Sequence, residues 1–372
     1  MLAGHATQEG TSRFASWAIE KKGVNRDHFR EFRGLRLSSV GIGTYLGDLD
    51  AETDKLVEET VFLSVSSGAV NVIDTAINYR LQRAERSVGR ALARLGGEEG
   101  IEAGREALLV CTKDGYLSSD GELSTDFWAY IQDEFIKPGK LKQEEIAGEA
   151  HSMAVPFLRE QLGRSLANLG LGCVDVLYLH NAAESWLPEV GYEQFLEKLR
   201  EVFSLYEEER KTGRIVYYGM ASWSCFRVGE GEAGHVNLED VVEAAKSIGG
   251  EDHGFRFLQL PFNVAMNEAL TQRNQRVAGE PLTTFAAARR LGVGVFTSVP
   301  LSQGRLLSHT RVPRLEGSKA LSLMQFARSA HPALLAPLIG QKSAEHTSEN
   351  LRIATIPPLD ESGFRETYKA LL

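Results

Sequence analysis

Cysteine is scarce in this chain: Cys111, Cys173 and Cys225 are the three in 372 residues, far apart and never paired as CxxC. Their odd number and wide spacing argue against a disulfide framework or a four-thiolate zinc site, and make a reducing cytoplasm the expected compartment. Long apolar runs are missing too. Nowhere do about 18 consecutive apolar residues occur, so no transmembrane helix is expected. Residues 1–14 carry no apolar run of signal-peptide length. The nine histidines include neither a His-x-His pair nor an HExxH motif, so no metal site is expected. There is no dense Lys/Arg tract, and the formal charge is −9. Such a chain is a poor partner for nucleic acid or an anionic membrane, although a local basic pocket for a phosphorylated cofactor is compatible with it.

What is there reads as an ordinary soluble globular protein: 43% hydrophobic and 24% charged residues exclude collagen-like, coiled-coil and wholly disordered classes. Eight short apolar, β-branched runs occupy residues 39–44, 70–74, 107–112, 174–179, 215–220, 255–261, 293–298 and 334–339. Most are almost continuously apolar, the pattern of parallel strands buried on both faces. Helical periodicity fills the gaps, at 53–66, 85–95, 155–169, 192–211, 238–247, 284–291 and 321–330. Glycines such as Gly68 and Gly96 follow the last periodic residue, as a left-handed helix cap requires. Eight β/α units in about 310 residues predict an α/β fold, a closed (β/α)8 TIM barrel, with a doubly wound open sheet as the competitor. The Gly41-Ile42-Gly43-Thr44-Tyr45-Leu46-Gly47 segment imitates a dinucleotide fingerprint. Its last interval is one residue too long, and Asp48, Leu49 and Asp50 separate it from the next helix, which argues against a Rossmann dehydrogenase.

The barrel is expected over 36–351. Residues 1–35 read as a polar, partly helical N-terminal extension, and 352–372 as a C-terminal tail that closes over the site or lies on the barrel. Residues 115–150 form an insertion after the third strand. Its Phe127, Trp128, Tyr130 and Phe135 argue against disorder. It is a candidate lid, expected to cover or flank the substrate mouth; packing on the rim without function is the bland alternative.

Active sites of such barrels stand at the C-terminal ends of the strands. Three of the apolar runs end there in an ionisable residue, Asp74, Lys113 and His180, and Tyr79 follows Asp74 in the next loop. Each residue alone is more often a cap, an ion pair or a locally satisfied histidine; together they suggest a site. A tyrosine of pKa about 10 transfers a proton reluctantly at neutral pH, and an adjacent ammonium lowers that pKa. A carboxylate beside the lysine holds it charged. A neutral imidazole can donate to a carbonyl oxygen as charge develops there. This is equipment for protonating an alkoxide as a hydride arrives.

At these residues the chain resembles the aldo-keto reductase superfamily. Asn71-Val72-Ile73-Asp74-Thr75-Ala76-Ile77-Asn78-Tyr79 is similar to its Asp-Thr-Ala-x-x-Tyr signature, and Ala84-Glu85-Arg86-Ser87-Val88-Gly89-Arg90-Ala91-Leu92 to the helix that follows. The likeness continues in order through Cys111-Thr112-Lys113, Asp175 to Asn181, Gly213 to Gly219, Gln259 to Asn263, Ser298 to Leu301, Ile339 to Ser343 and Glu349-Asn350-Leu351, roughly residues 35–351. The resemblance implies a (β/α)8 barrel and an oxidoreductase interconverting a carbonyl, aldehyde or ketone, with an alcohol by hydride transfer. It implies Tyr79 as acid/base, Lys113 tuning it, Asp74 supporting Lys113 and His180 orienting the carbonyl. By position, Ser222 and Gln259 meet the nicotinamide amide. Ser298, Pro300, Leu301 and Gly304 fall at the end of the seventh strand and in the loop after it. Gln341, Lys342, Ser343, His346 and Asn350 fall in the adenosine-phosphate segment. Lys342 and His346 suit a 2′-phosphate, which favours NADP over NAD.

Three departures stand out. Ser298 occupies a block where the family often has an aromatic to stack on nicotinamide. The interval from Lys113 to His180 is long because of the insertion. The Gly-Val-Ser-Asn block reads Gly219-Met220-Ala221-Ser222-Trp223. The expected partner is a small-molecule carbonyl or alcohol, and the expected state a monomer or small homo-oligomer, since no helix shows a heptad seam. The competing function is a cofactor-binding, non-catalytic or regulatory barrel subunit, distinguished by the absence of carbonyl-dependent cofactor oxidation.

Overall fold

Eight parallel strands close into a barrel in the computed structural model, which describes residues 1–97, 101–148, 150–308 and 318–371. The strands are β1 (Gly41–Gly43), β2 (Val72–Asp74), β3 (Leu109–Asp114), β4 (Val174–His180), β5 (Ile215–Ala221), β6 (Phe255–Pro261), β7 (Gly294–Ser298) and β8 (Leu334–Gly340). Each pairs with its neighbours in sequence, and β8 pairs with β1, so no edge is left. Nearly every strand residue is buried, as helices on the outside and side chains within the barrel demand. Register sets the level of the functional residues. Asp74 pairs with Cys111, so Lys113 stands two residues further toward the open end; Lys113 pairs with Tyr178, and His180 with Ala221.

The outer helices are α1 (Ala51–Ser66), α2 (Arg83–Leu95), α3 (Val155–Leu169), α4 (Ala182–Lys211), α5 (Leu238–Gly249), α6 (Thr284–Arg290), α7 (Lys319–Ser329) and α8 (Ala344–Leu351). Asp50 caps α1 by accepting the Thr53 N–H at 2.7 Å, and Val57, Val61 and Val65 face inward at helical spacing. Gly68 after α1 and Gly170 after α3 are left-handed (φ 79° and 66°), as a glycine cap suggests, whereas Gly96 after α2 stays right-handed at φ −66°. The span α4 consists of two helical segments, and the second begins where the periodicity at 192–211 predicts. The first segment, from Ala182, contains Pro188 and ends at the non-helical Gly191 (φ 75°, ψ 173°), where the chain kinks into the second.

Residues 1–35 are more than a polar extension. The helix Gln8–Lys22 buries Phe14, Ala15 and Ala18 in the main core. An antiparallel hairpin, Phe29–Phe32 with Leu35–Ser38, then plugs the N-terminal end of the barrel. Leu35 and Leu37 join Val72, Leu109, Val176, Phe257 and Phe296 in its floor, and the Phe32 ring meets that of Phe257 edge-on at 5.2 Å. The hairpin turns at Arg33-Gly34, both left-handed (φ 51° and 82°), a two-residue turn matched to strand twist. With this end sealed, the strand C-termini are the open face.

Of the described residues of 115–150, Tyr116 lines the cavity discussed below, and Phe127, Tyr130 and Phe135 pack on the flank of the barrel. A short helix, Phe127–Ile131, runs into a π-helical turn, Gln132–Ile136, and together they clamp onto α3. Phe135 packs on Phe157 at 5.1 Å beneath the Arg164 guanidinium, 4.7 Å from its ring. The C-terminal helix Glu361–Leu371 lies against α7, where Phe364 stacks on Phe326 at 5.3 Å. No residue of 352–371 lines the cavity described next.

Candidate active site

The loop after β2 delivers Tyr79 on a backbone that L-residues avoid. Arg80, Leu81 and Gln82 are consecutively left-handed (φ 50°, 51° and 75°), at a cost of about 1–2 kcal/mol each. Buried polar bonds hold them there. Arg80 donates from Nε to the Asp48 carbonyl (2.8 Å) and from Nη2 to that of Asp50 (3.2 Å), and it pairs with the Asp54 carboxylate of α1. Gln82 donates from Nε2 to the Ser119 carbonyl at 3.1 Å. Tyr79 is thereby tied to both the β1–α1 loop and the start of the insertion.

Lys113 is wholly buried behind Tyr79. Its Nζ donates to Asp74 Oδ2 at 2.7 Å and to the Thr75 carbonyl at 2.8 Å, and lies 4.8 Å from the centre of the Tyr79 ring. The other Asp74 oxygen accepts the Gln259 Nε2–H at 3.0 Å. Burial works against the Lys113 ammonium, but the Asp74 carboxylate and Tyr79 more than offset it and raise its pKa above the usual lysine value. For Tyr79 burial dominates: it lifts the phenol pKa above its ordinary value, and the pull of Lys113 in the other direction recovers only part of that. The net lowering expected from the neighbouring ammonium is therefore reversed by desolvation. His180 is held well below the usual histidine value by burial, then by Lys113 and His151, and is neutral. Its ring stands edge-on to Tyr79 (5.8 Å) and to Tyr116 (5.1 Å).

One cavity of about 1130 Å³ opens over these groups. It exceeds the usual 300–1,000 Å³ of small-molecule sites. Asp74, Tyr79, His180, Ser222, Gln259, Ser298, Pro300, Leu301 and Gly304 line it, and so do Gln341, Lys342, Ser343, His346 and Asn350. Of the sequence-predicted residues Lys113 alone does not reach it, being screened by Asp74 and Tyr79. Several predicted cofactor residues already have partners. Ser222 Oγ donates to Glu184 Oε1 at 2.8 Å. Asn350 donates to Gln341, which donates to Ser64. Ser343 caps α8, its hydroxyl accepting the His346 N–H at 3.1 Å. No aromatic replaces Ser298 on β7; the rings lining the cavity are those of Tyr45, Tyr79, Tyr116, Trp223, His180 and His346, among the described residues.

Sequence reasoning missed Tyr45, Tyr116, Asn181 and Glu184, all of which line the cavity. Tyr116 is the one residue of the insertion that does so, among those described. It follows Lys113 by three residues, and Glu184 follows His180 by one helical turn, so both could have been read as strand-end neighbours. Asn78 Oδ1, His180 Nδ1 and Glu184 Oε2 are buried without a partner, and their residues all face the cavity. Such orphaned atoms in a walled cavity await a ligand's complementary groups.

The fold has solved counterparts. A holo-form aldo-keto reductase from Bacillus halodurans is 19% identical with a TM-score of 0.60, over 92% of this chain and 95% of that one. An aldo/keto reductase from Klebsiella pneumoniae in complex with NADP and acetate is 16% identical, with a TM-score of 0.58 over 92% and 94%. A Klebsiella pneumoniae aldo-keto reductase in complex with NADPH gives 16%, 0.57, 93% and 94%. At such identities the likeness speaks to the barrel. The family model described as Aldo/keto reductase family matches residues 39–319, three quarters of the sequence, with Asp74, Tyr79, Lys113 and His180 inside the match and Gln341 to Asn350 beyond it. On that match the chain belongs to the aldo/keto reductase family.

Proposed function

We propose that the chain is an NADP(H)-dependent oxidoreductase that interconverts a small-molecule aldehyde or ketone with its alcohol, Tyr79 giving and taking the proton. The observation that carries this is the series Tyr79–Lys113–Asp74, with its lysine and aspartate buried, at the floor of a cavity too large for a small substrate alone.

The cavity suits a phosphorylated dinucleotide. At one end α8 begins, where the first-turn N–H groups and the positive end of the helix dipole favour a phosphate; Lys342 adds a positive charge and the His346 ring stands beside it. These residues favour the 2′-phosphate form over NAD. The loop after β7, with Pro300, Leu301 and Gly304, walls the middle. Ser222 and Gln259 stand beside the catalytic end, where the carboxamide of a nicotinamide would find them. The NADP and NADPH in the Klebsiella relatives support the same assignment. When bound, the nicotinamide supplies or accepts the hydride.

This chain's residues do the rest. The neutral His180 ring donates a hydrogen bond that orients the carbonyl oxygen toward Tyr79. Tyr79 keeps its proton through the neutral range and delivers it to the oxygen as alkoxide character develops. Lys113, fixed as an ammonium by Asp74, stabilises the phenolate left behind. Tyr45 and Tyr116 flank Tyr79 and His180 and exclude water.

Fluorescence titration with NADPH and NADH, followed by a screen for carbonyl-dependent NADPH oxidation, tests the reading. Saturable NADPH binding with turnover is the expected result. Binding without turnover across aldehydes and ketones would instead mark the regulatory barrel subunit, and no binding would sink the cofactor assignment.

A further inference from the structure

Among the described residues, the lysines that line the cavity stand at one end of it. Lys319 opens α7 and Lys342 just precedes α8, at the phosphate end, where His346 and the carboxylate Glu349 of α8 also line the wall. Around Tyr79 and His180 no lysine or arginine lines the wall among the described residues; Lys113 is buried and its charge is taken up by Asp74. What stands there instead is a carboxylate, Glu184, on the first turn of α4.

Glu184 is engaged on one side only. Its Oε1 accepts from Ser222 Oγ (2.8 Å), Ser224 N (2.6 Å) and Ser224 Oγ (3.2 Å), which pins the carboxyl against the β5–α5 loop. Its Oε2 is shielded and has no partner. Aromatic faces surround the same end. Tyr45 is 57% and Trp223 48% exposed, and Tyr116 stands beside them, its hydroxyl accepting the Asn181 Nδ2–H at 3.3 Å. Exposed rings at a cavity mouth are surfaces for a flat apolar body or a cation. A carboxylate with a spare oxygen among them favours a donor carrying positive charge and repels an anion.

We propose that the substrate of this site is a carbonyl compound that also carries an ammonium group, received by Glu184 Oε2, with its apolar part against Tyr45, Tyr116 and Trp223. The proposal rests on the oxidoreductase reading above. It assigns Glu184 to substrate selection, a role separate from proton transfer.

Three aldehydes of matched shape test it: 4-(dimethylaminomethyl)benzaldehyde, protonated at neutral pH; its uncharged isostere 4-isobutylbenzaldehyde; and the anionic 4-(carboxymethyl)benzaldehyde. The expected order of kcat/KM is cation, neutral, anion, with about tenfold between the first two, the scale of one partly screened charge pair. Glu184→Gln keeps an acceptor for Ser222 and Ser224 and should bring the cation-to-neutral ratio within about twofold of one, whatever happens to the absolute rate. In the parent chain the same ratio should fall as salt rises. A parent ratio near or below one, or a ratio that neither Glu184→Gln nor salt changes, overturns the proposal while leaving the reductase reading standing. If none of the aldehydes turns over, calorimetric titration with the three corresponding benzyl alcohols reads the preference directly. A cation preference lost in Glu184→Gln then supports the site and overturns the reductase reading; equal binding, or none, overturns both.

Discussion

His151 donates its Nε2 proton to the carbonyl oxygen of His180 at 2.8 Å and accepts the Trp186 indole N–H on Nδ1 at 3.1 Å. The two bonds fix one neutral tautomer. They also make His151, where the insertion returns to the barrel, the support of the residue proposed to orient the carbonyl. Replacing it by leucine strands a buried carbonyl and a buried N–H, each worth about 1–3 kcal/mol. His151→Leu should therefore lower both melting temperature and kcat. His151→Gln, whose amide can donate and accept, should recover most of both. Equal activity in the leucine and glutamine variants would remove His151 from any part in positioning His180.

Acid should destabilise the fold before the carboxylates titrate. Burial, then Arg328, holds His28 down to about 3, and burial holds His151 down to about 4. The unfolded chain binds these protons near pH 6.5 and the folded chain does not, so stability falls as pH drops from 6.5 toward 4. Each residue contributes on the order of 3 kcal/mol over that range. Thermal unfolding between pH 7 and pH 4.5 checks this; a melting temperature flat across the interval contradicts it.

Tyr79→Phe removes the proton but keeps the ring that Tyr45 and His180 contact at 5.0 and 5.8 Å. The variant should bind NADPH within a few-fold of the parent and lose about 10²–10⁴ in turnover, the usual share of general acid–base catalysis. Because burial raises the Tyr79 pKa, the parent's reduction rate should stay level through neutral pH and fall only on the alkaline side. Undiminished turnover in the phenylalanine variant would end the assignment.

The barrel was legible because parallel strands buried on both faces write themselves as unbroken apolar runs; all eight appear within a few residues of their expected positions. Asp74, Tyr79, Lys113 and His180 were legible because strand ends in a barrel converge. The hairpin at 29–38 was hidden by Arg30, Arg33 and Arg36, which make its alternation look polar, although Arg33-Gly34 carried the turn signal. The insertion was legible only in part. Its aromatics reported burial correctly, but sequence cannot say against what. Glu184 went unread because a lone glutamate on a helix is ordinarily a solvated face.

That placement changes what deleting the insertion should do. Ile131, Phe135 and Leu141 are fully buried, and Phe135 covers Phe157 of α3. Excising residues 118–148 uncovers this surface and costs several kcal/mol, since each buried large side chain is worth about 1.5–3. The deletion should unfold the chain or lower its melting point sharply, and not merely broaden its substrate range. A shortened chain melting within a few degrees of the parent would refute the packing argument.

Asp114 sits beside Lys113 on β3 but points the other way, as strand alternation requires, and meets α4 instead of the cavity. Its Oδ1 accepts the Tyr206 hydroxyl at 2.6 Å, and its Oδ2 is buried without a partner. Burial pushes its carboxyl up to about 8. The folded chain therefore holds a proton that the unfolded chain releases near pH 3.8, and stability is lost as pH rises toward 8, opposite in sign to the histidines. Asparagine keeps the acceptor for Tyr206 and cannot ionise. The melting temperature of Asp114→Asn relative to the parent should rise between pH 5.5 and pH 8, by the equivalent of about 3 kcal/mol. A difference between the two proteins that is constant across that range would mean that Asp114 is ionised in the fold and that another group balances its charge.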